Sequence, residues 1–162
     1  MAVELIHPTL PGIQPRAVKK AAALSVALTG RWVSLDSSGL AVAPAAAAVG
    51  VYFIYEGTHQ HAGDGAAFDP GGLSTNTTAY PTNVFAGTLA LLYGNFIASV
   101  GYEGVDQADV ANIIPGALLK VDTVGRLVST NLAANNAVAK VESRVVDGAG
   151  KISSLTFRSL PG

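Results

Sequence analysis

Apolar and polar positions alternate with a period of two along much of this chain. Leu24, Val26 and Leu28 alternate with Ser25, Ala27 and Thr29 ahead of Gly30, and Leu155 and Phe157 alternate with Thr156 and Arg158 near the other end. That rhythm belongs to strands with one buried face. Lys19–Ala23 is alanine-rich and Leu24 with Leu28 also has helical spacing, so a helix is the competing reading for that stretch. Thr88–Tyr93 and Phe96–Val100 flank Gly94-Asn95, a two-residue connection suited to a hairpin. Asp106 is placed to cap one short helix, with Val105 and Val110 at the staple positions and Pro115-Gly116 as its stop. Many short strands, regularly spaced turns and scarcely any helix predict an all-β fold, a small antiparallel β-barrel or sandwich.

One strand-turn-strand pattern occurs twice. GRWVSLDSSGLAV, Gly30 to Val42, returns without a gap as GALLKVDTVGRLV, Gly116 to Val128. Each copy leads through a linker into a second β-type run, Val49–Phe53 in one case and Ala137–Val141 in the other. Alternation predicts that Val33 and Leu35 point inward with Ser34 in water, and that Leu119 and Val121 do the same around Lys120. Asp36 and Asp122 then fall at turns, where a carboxylate can accept from nearby backbone amides. Gly39 and Gly125, three residues on, tolerate a positive φ. A catalytic role for these aspartates is disfavoured, because both occupy the same turn position with no partner acid or base nearby in sequence.

The 162 residues and 49% apolar content suit one buried core rather than two, which predicts a single β domain over residues 17–162. Residues 1–16 read as an extended arm, since Pro8, Pro11 and Pro15 fix backbone angles and bias their predecessors away from helix. Its Val3, Leu5, Ile6, Leu10 and Ile13 are too apolar for a free tail. They either fold back on the domain or grip a neighbouring subunit. Residues 56–83 are rich in Gly, Thr, Ser, Asn and Asp and form a long loop insertion, which Phe68, Tyr80 and Phe85 could pin down.

Charge narrows the partners. Only 13% of residues are charged and Lys and Arg are scattered, so the electrostatic footprint of a nucleic-acid binder is missing from the sequence. No apolar run is long and uninterrupted enough to read as a membrane span, and the first ten residues do not read as a signal peptide. Without cysteine there are no disulfides and no thiolate ligands or nucleophiles. His59 and His61 form H-x-H, with Asp64 or Asp69 as further oxygen donors. They are weak metal candidates, since a zinc site needs three or four converging ligands. No sequence motif calls for a cofactor, and the expectation is a protein that is not an enzyme.

The succession of TGRWVSLDSSG, VGVYFI, a hairpin, PGALLKVDTVGRLV, AVAKVES and a closing LTFRS resembles the small capsid cement, or decoration, proteins of tailed bacteriophages. The resemblance spans roughly residues 18–159, and the long loop departs from it. It implies a structural virion protein, made in the host cytoplasm, that binds the outer surface of the capsid as a homotrimer and holds neighbouring major capsid proteins together. The five arm residues Val3, Leu5, Ile6, Leu10 and Ile13 are then the candidates for contact with the capsid or a sister subunit. Two other readings stand beside it. One is another non-enzymatic virion component, such as a tail-tube or head-completion protein. The other is a carbohydrate-binding module using Trp32, Tyr80, Tyr93 or Tyr102 as stacking platforms.

Overall fold

The computed structural model describes residues 4–5, 16–19, 21, 30–56, 88–129 and 136–160. In chain order its strands are β1 (Glu4–Leu5), β2 (Arg16–Lys19), β3 (Trp32–Leu35), β4 (Ala41–Val42), β5 (Tyr52–Glu56) and β6 (Thr88–Leu92). The second half adds β7 (Ile97–Val100), β8 (Leu118–Val121), β9 (Leu127–Ser129), β10 (Ala139–Val146) and β11 (Ile152–Ser159). They form two antiparallel sheets, β2-β6-β5-β3-β4 and β1-β7-β11-β10-β8-β9. A core of side chains from both sheets lies between them, so the fold is an all-β sandwich, and no closed barrel forms among the described residues.

The duplication seen in sequence extends over both sheets. β2 to β6 and β7 to β11 follow one topology, in which the first strand lies beside the fifth, then come the fourth, the second and the third. β1 is an addition outside β7, pairing Glu4 with Ser99 and Leu5 with Ala98. Registers match as well. Trp32 and Val33 face Phe53 and Tyr52 in the first unit, as Leu118 and Leu119 face Lys140 and Ala139 in the second. Arg16, expected to end the arm, instead opens β2 opposite Leu91. Glu56, expected to begin the loop, is the last residue of β5. Between β10 and β11 the second unit needs only the tight turn Asp147–Lys151, whereas residues 57–87 separate β5 from β6.

The two units do not pack face to face. In the second sheet Leu119, Val121, Leu127, Val141 and Phe157 point into the shared core. Their counterparts by register, Val33, Leu35, Ala41, Ile54 and Leu91, lie on the far side of the first sheet in a separate cluster with Val18 and Tyr52. Val33 is thus buried as expected, but away from the core between the sheets. Trp32, Phe53 and Leu92 enter that core in its place. The reason is stacking order, because the apolar front of the second sheet rests on the back of the first. The aromatic rings there pack closely, with centroids 5.3 Å apart for Trp32 and Phe53 and 5.5 Å for Phe53 and Phe157.

The same register shows what ends the stack. The positions matching Trp32, Phe53 and Leu92 in the second unit are Leu118, Lys140 and Arg158. Lys140 is exposed, and Arg158 donates from Nε to Glu142 at 2.9 Å. A charged back leaves nothing for a further sheet to rest on.

Three turns share one construction. Asp36 accepts from the amides of Ser38 and Leu40, Asp122 from Val124 and Arg126, and Asp147 from Ala149 and Lys151. In each, the glycine three residues on has a positive φ and donates to the aspartate's carbonyl. This is the three-residue hairpin with a glycine bulge. The second copy does more. Gly125 O accepts from the Trp32 amide at 2.8 Å and Val124 O from Arg31 Nη1 at 3.0 Å, tying the edge of one sheet to the start of β3 in the other.

The expected helix is shorter than predicted. Asp106 caps as anticipated, accepting from Ala108, but the segment makes a single 3-10 turn, Gln107–Asp109, after another at Tyr102–Gly104. A Cβ on Gly104 would sit 2.9 Å from that of Val100, and Asp109 is bound to β9 through the Ser129 amide. A segment pinned so closely at both ends has no room to propagate a longer helix.

Two predictions follow from these contacts. A Cβ on Gly125 would lie 2.2 Å from Trp32 O, whereas one on Gly39 meets nothing within 4 Å. Gly39→Ala is expected to cost about 1–2 kcal/mol in denaturant unfolding, the penalty of a left-handed alanine. Gly125→Ala, which must also move backbone, is expected to cost about 3 kcal/mol or more. Equal losses would refute the docking role of the second turn. Lys140→Phe combined with Arg158→Leu recreates the first sheet's back on the second. Light scattering should then show concentration-dependent association beyond that of the parent chain.

Candidate functional surface

The arm residues expected to make contacts are only partly placed. Leu5 lies in β1 at the edge of the second sheet, paired with Ala98, while Val3, Ile6, Leu10 and Ile13 lie outside the described residues. His59 and His61 also lie outside them, as do the Leu24–Leu28 run and residues 57–83 of the expected loop. Among the described residues no three His, Cys, Asp or Glu converge as a metal site would require. Asp36, Gly39, Asp122 and Gly125 occupy turns, where the aspartates are consumed by backbone amides.

Of the aromatic platforms, Trp32 is 3% exposed in the core and cannot stack on a ligand. Tyr80 lies outside the described residues, and Tyr93, exposed, leans on Tyr52 with centroids 5.1 Å apart. Tyr102 is different, because it stands where charged groups from four separate segments meet.

That meeting place is an open groove of about 600 Å³. Arg31 comes from the approach to β3, Tyr102 and Glu103 from the first 3-10 turn, Arg126 from the β8–β9 turn, and Asp147 and Lys151 from the β10–β11 turn. Arg31 pairs with Glu103 at 3.2 Å, and its partial burial lowers the guanidinium's pKa against the opposing pull of Glu103. Arg126 binds Asp122 from Nε at 2.7 Å and reaches Asp106 at 3.7 Å. Tyr102 donates its hydroxyl to Asp147. That bond, followed by the Lys151 and Ala149 amides, holds the Asp147 carboxyl below its ordinary range and raises the Tyr102 hydroxyl.

Gln107 closes the floor. Its amide accepts from Ile152 N at 2.9 Å and donates to Ile152 O at 3.1 Å and Tyr102 O at 3.2 Å, saturating the backbone there. No stretch of sequence announced this groove, since its residues are drawn from positions 31, 102–107, 126 and 147–151. The signal that could have pointed to part of it is the third D-x-x-G turn, which resembles the two in the repeat.

Other exposed apolar side chains are Val49, Ile114, Val124, Val145 and Val146, spread over separate turns and the far end of β10. Among the described residues no helix is long and apolar enough to cross a membrane. No family model matches the chain, and no curated protein matches it either.

Asp109 yields a pH test. Burial alone would raise its pKa, but hydrogen bonds from Asn112 and from the Ser129 amide, with Lys120 nearby, leave it below the usual 3.8. A carboxyl depressed in the folded state stabilises it above the unfolded value, and that contribution disappears as pH falls through the folded one. Unfolding midpoints measured from pH 6 downward should therefore fall below about pH 4. Asp109→Asn should be less stable near neutrality and show a shallower acid limb. An identical limb in the variant would exclude this carboxyl as a source.

Proposed function

We propose that this chain is a structural virion protein that binds the outer surface of an assembled phage capsid and stabilises contacts between major capsid proteins. The observation that carries the reading is the duplicated strand-turn-strand unit, whose order along the sequence resembles that of capsid cement proteins and which here builds two matching sheets. The N-terminal strand pairs with the chain's own β7 at a sheet edge, so a grip on a neighbour by Glu4–Leu5 would exchange that pairing for the same one between chains. The chain works by binding rather than by catalysis.

The mechanism is linkage. A protein that binds only the mature lattice stabilises that lattice by about 2.7 kcal/mol per site at a hundredfold excess over Kd. Many copies multiply the effect, so each interface can be of ordinary size, about 1,200–2,000 Å². A stiff body serves this purpose because little ordering is lost on docking. The assembly proposed is a homotrimer seated where capsid subunits meet around three-fold positions.

The test is to add the purified full chain to undecorated shells and image the particles. Density for this sandwich on the outer surface at three-fold positions, with a higher temperature of shell rupture, is the expected result. Density in a tail ring or at the portal would favour a tail-tube or head-completion protein instead. Deleting residues 1–13, which ends before β2, should weaken decoration about tenfold or more while the β-rich circular dichroism remains, if β1 and its neighbours supply grip. Unchanged affinity would remove the arm from the mechanism.

A further inference from the structure

We propose that the groove around Tyr102 binds a saccharide. Three features decide the ligand class. First, its charges cancel in place, since Arg31 is paired with Glu103 and Arg126 with Asp122, so a polyanion finds no net positive surface. Second, the Gln107 amide occupies both backbone groups of Ile152, so a peptide cannot add there as a strand. Third, what remains available is side-chain capacity on groups already fixed in position. Glu103 uses one oxygen in its pair, Arg126 retains guanidinium N–H groups, and Lys151 makes no ion pair among the described residues. Hydroxyls both donate and accept, so a sugar can bridge a carboxylate and a cation where an ion of one sign would be repelled by one of them.

The Tyr102 ring supplies the apolar half of such a site. It is 38% exposed, and its hydroxyl bond to Asp147 holds the ring in place. A pyranose presents a face of C–H groups that packs on an aromatic ring while its hydroxyls reach the rim. About 600 Å³ lies within the range of small-ligand sites. All of these residues are described, and none belongs to the N-terminal strand whose deletion tests the capsid contact.

The experiment uses the free full-length chain on a printed array of bacterial, plant and animal glycans, with saturation-transfer NMR on the sugars that register. Binding should fall about tenfold or more in Tyr102→Ala, the size of one aromatic contact. It should fall by less in Tyr102→Phe, which keeps the ring but gives up the Asp147 bond that fixes it. Arg126→Gln should also weaken it, and Lys140→Ala, on the back of the second sheet, should leave it unchanged. Thermal melts of each variant separate loss of the site from loss of the fold. A silent array, or a sugar held equally by Tyr102→Ala, overturns the proposal. Neither result bears on decoration of shells, which is read in a different assay.

Discussion

The joint between Trp32 and the turn at Gly125 is the constraint on which the rest of the structure depends. The Trp32 amide and the Arg31 guanidinium both donate to carbonyls of that turn, so the second sheet is attached by its backbone to the first strand of the repeat. At the same residue the indole enters the core among Phe53, Phe96 and Phe157. Main-chain docking and aromatic packing therefore act at one point. Only glycine allows the approach, because any side chain at residue 125 would overlap the Trp32 carbonyl.

Front-to-back stacking follows from this arrangement. Units that pack face to face close their interface, whereas units stacked in one direction leave a front and a back at the ends. In this chain the second unit's back carries Lys140 and Arg158 where the first carries Phe53 and Leu92. Each unit's own apolar front is preserved, as Leu119 and Val141 in one and Val33 and Ile54 in the other. Divergence between the copies is thus concentrated on the face that decides whether another layer can follow. A body ended in this way can present fixed surfaces to a larger assembly without stacking on itself.

Much of this was legible in the sequence. The repeat, the turns at Asp36 and Asp122 and the cap at Asp106 all rest on local chemistry, and local chemistry is what a linear reading sees. The hairpin expected at Gly94-Asn95 does not form, because β6 and β7 lie in different sheets and the two residues carry the chain across from one to the other. Alternation also identified Val33 and Leu119 as buried. It could not say which buried face meets which, since a strand with apolar residues on both sides, as at Trp32 and Val33, gives the same pattern for either stacking order. The third D-x-x-G turn, Asp147–Gly150, lies outside the repeated pattern, and its kinship to the other two shows in its hydrogen bonds. The groove was invisible because Arg31 and Glu103 are brought together only by the joint at Trp32. The extent of the duplication was hidden too, since residues 57–87 interrupt the first unit where the second has a tight hairpin.

Native-state hydrogen exchange at the Trp32 amide tests the central claim most directly. If this joint binds the two sheets into one cooperative body, that amide exchanges only through global unfolding, with the same free energy as the central amides of β10 and β11. Exchange of the Trp32 amide through a separate, much cheaper opening would contradict it. The sheets would then be two loosely associated units rather than one.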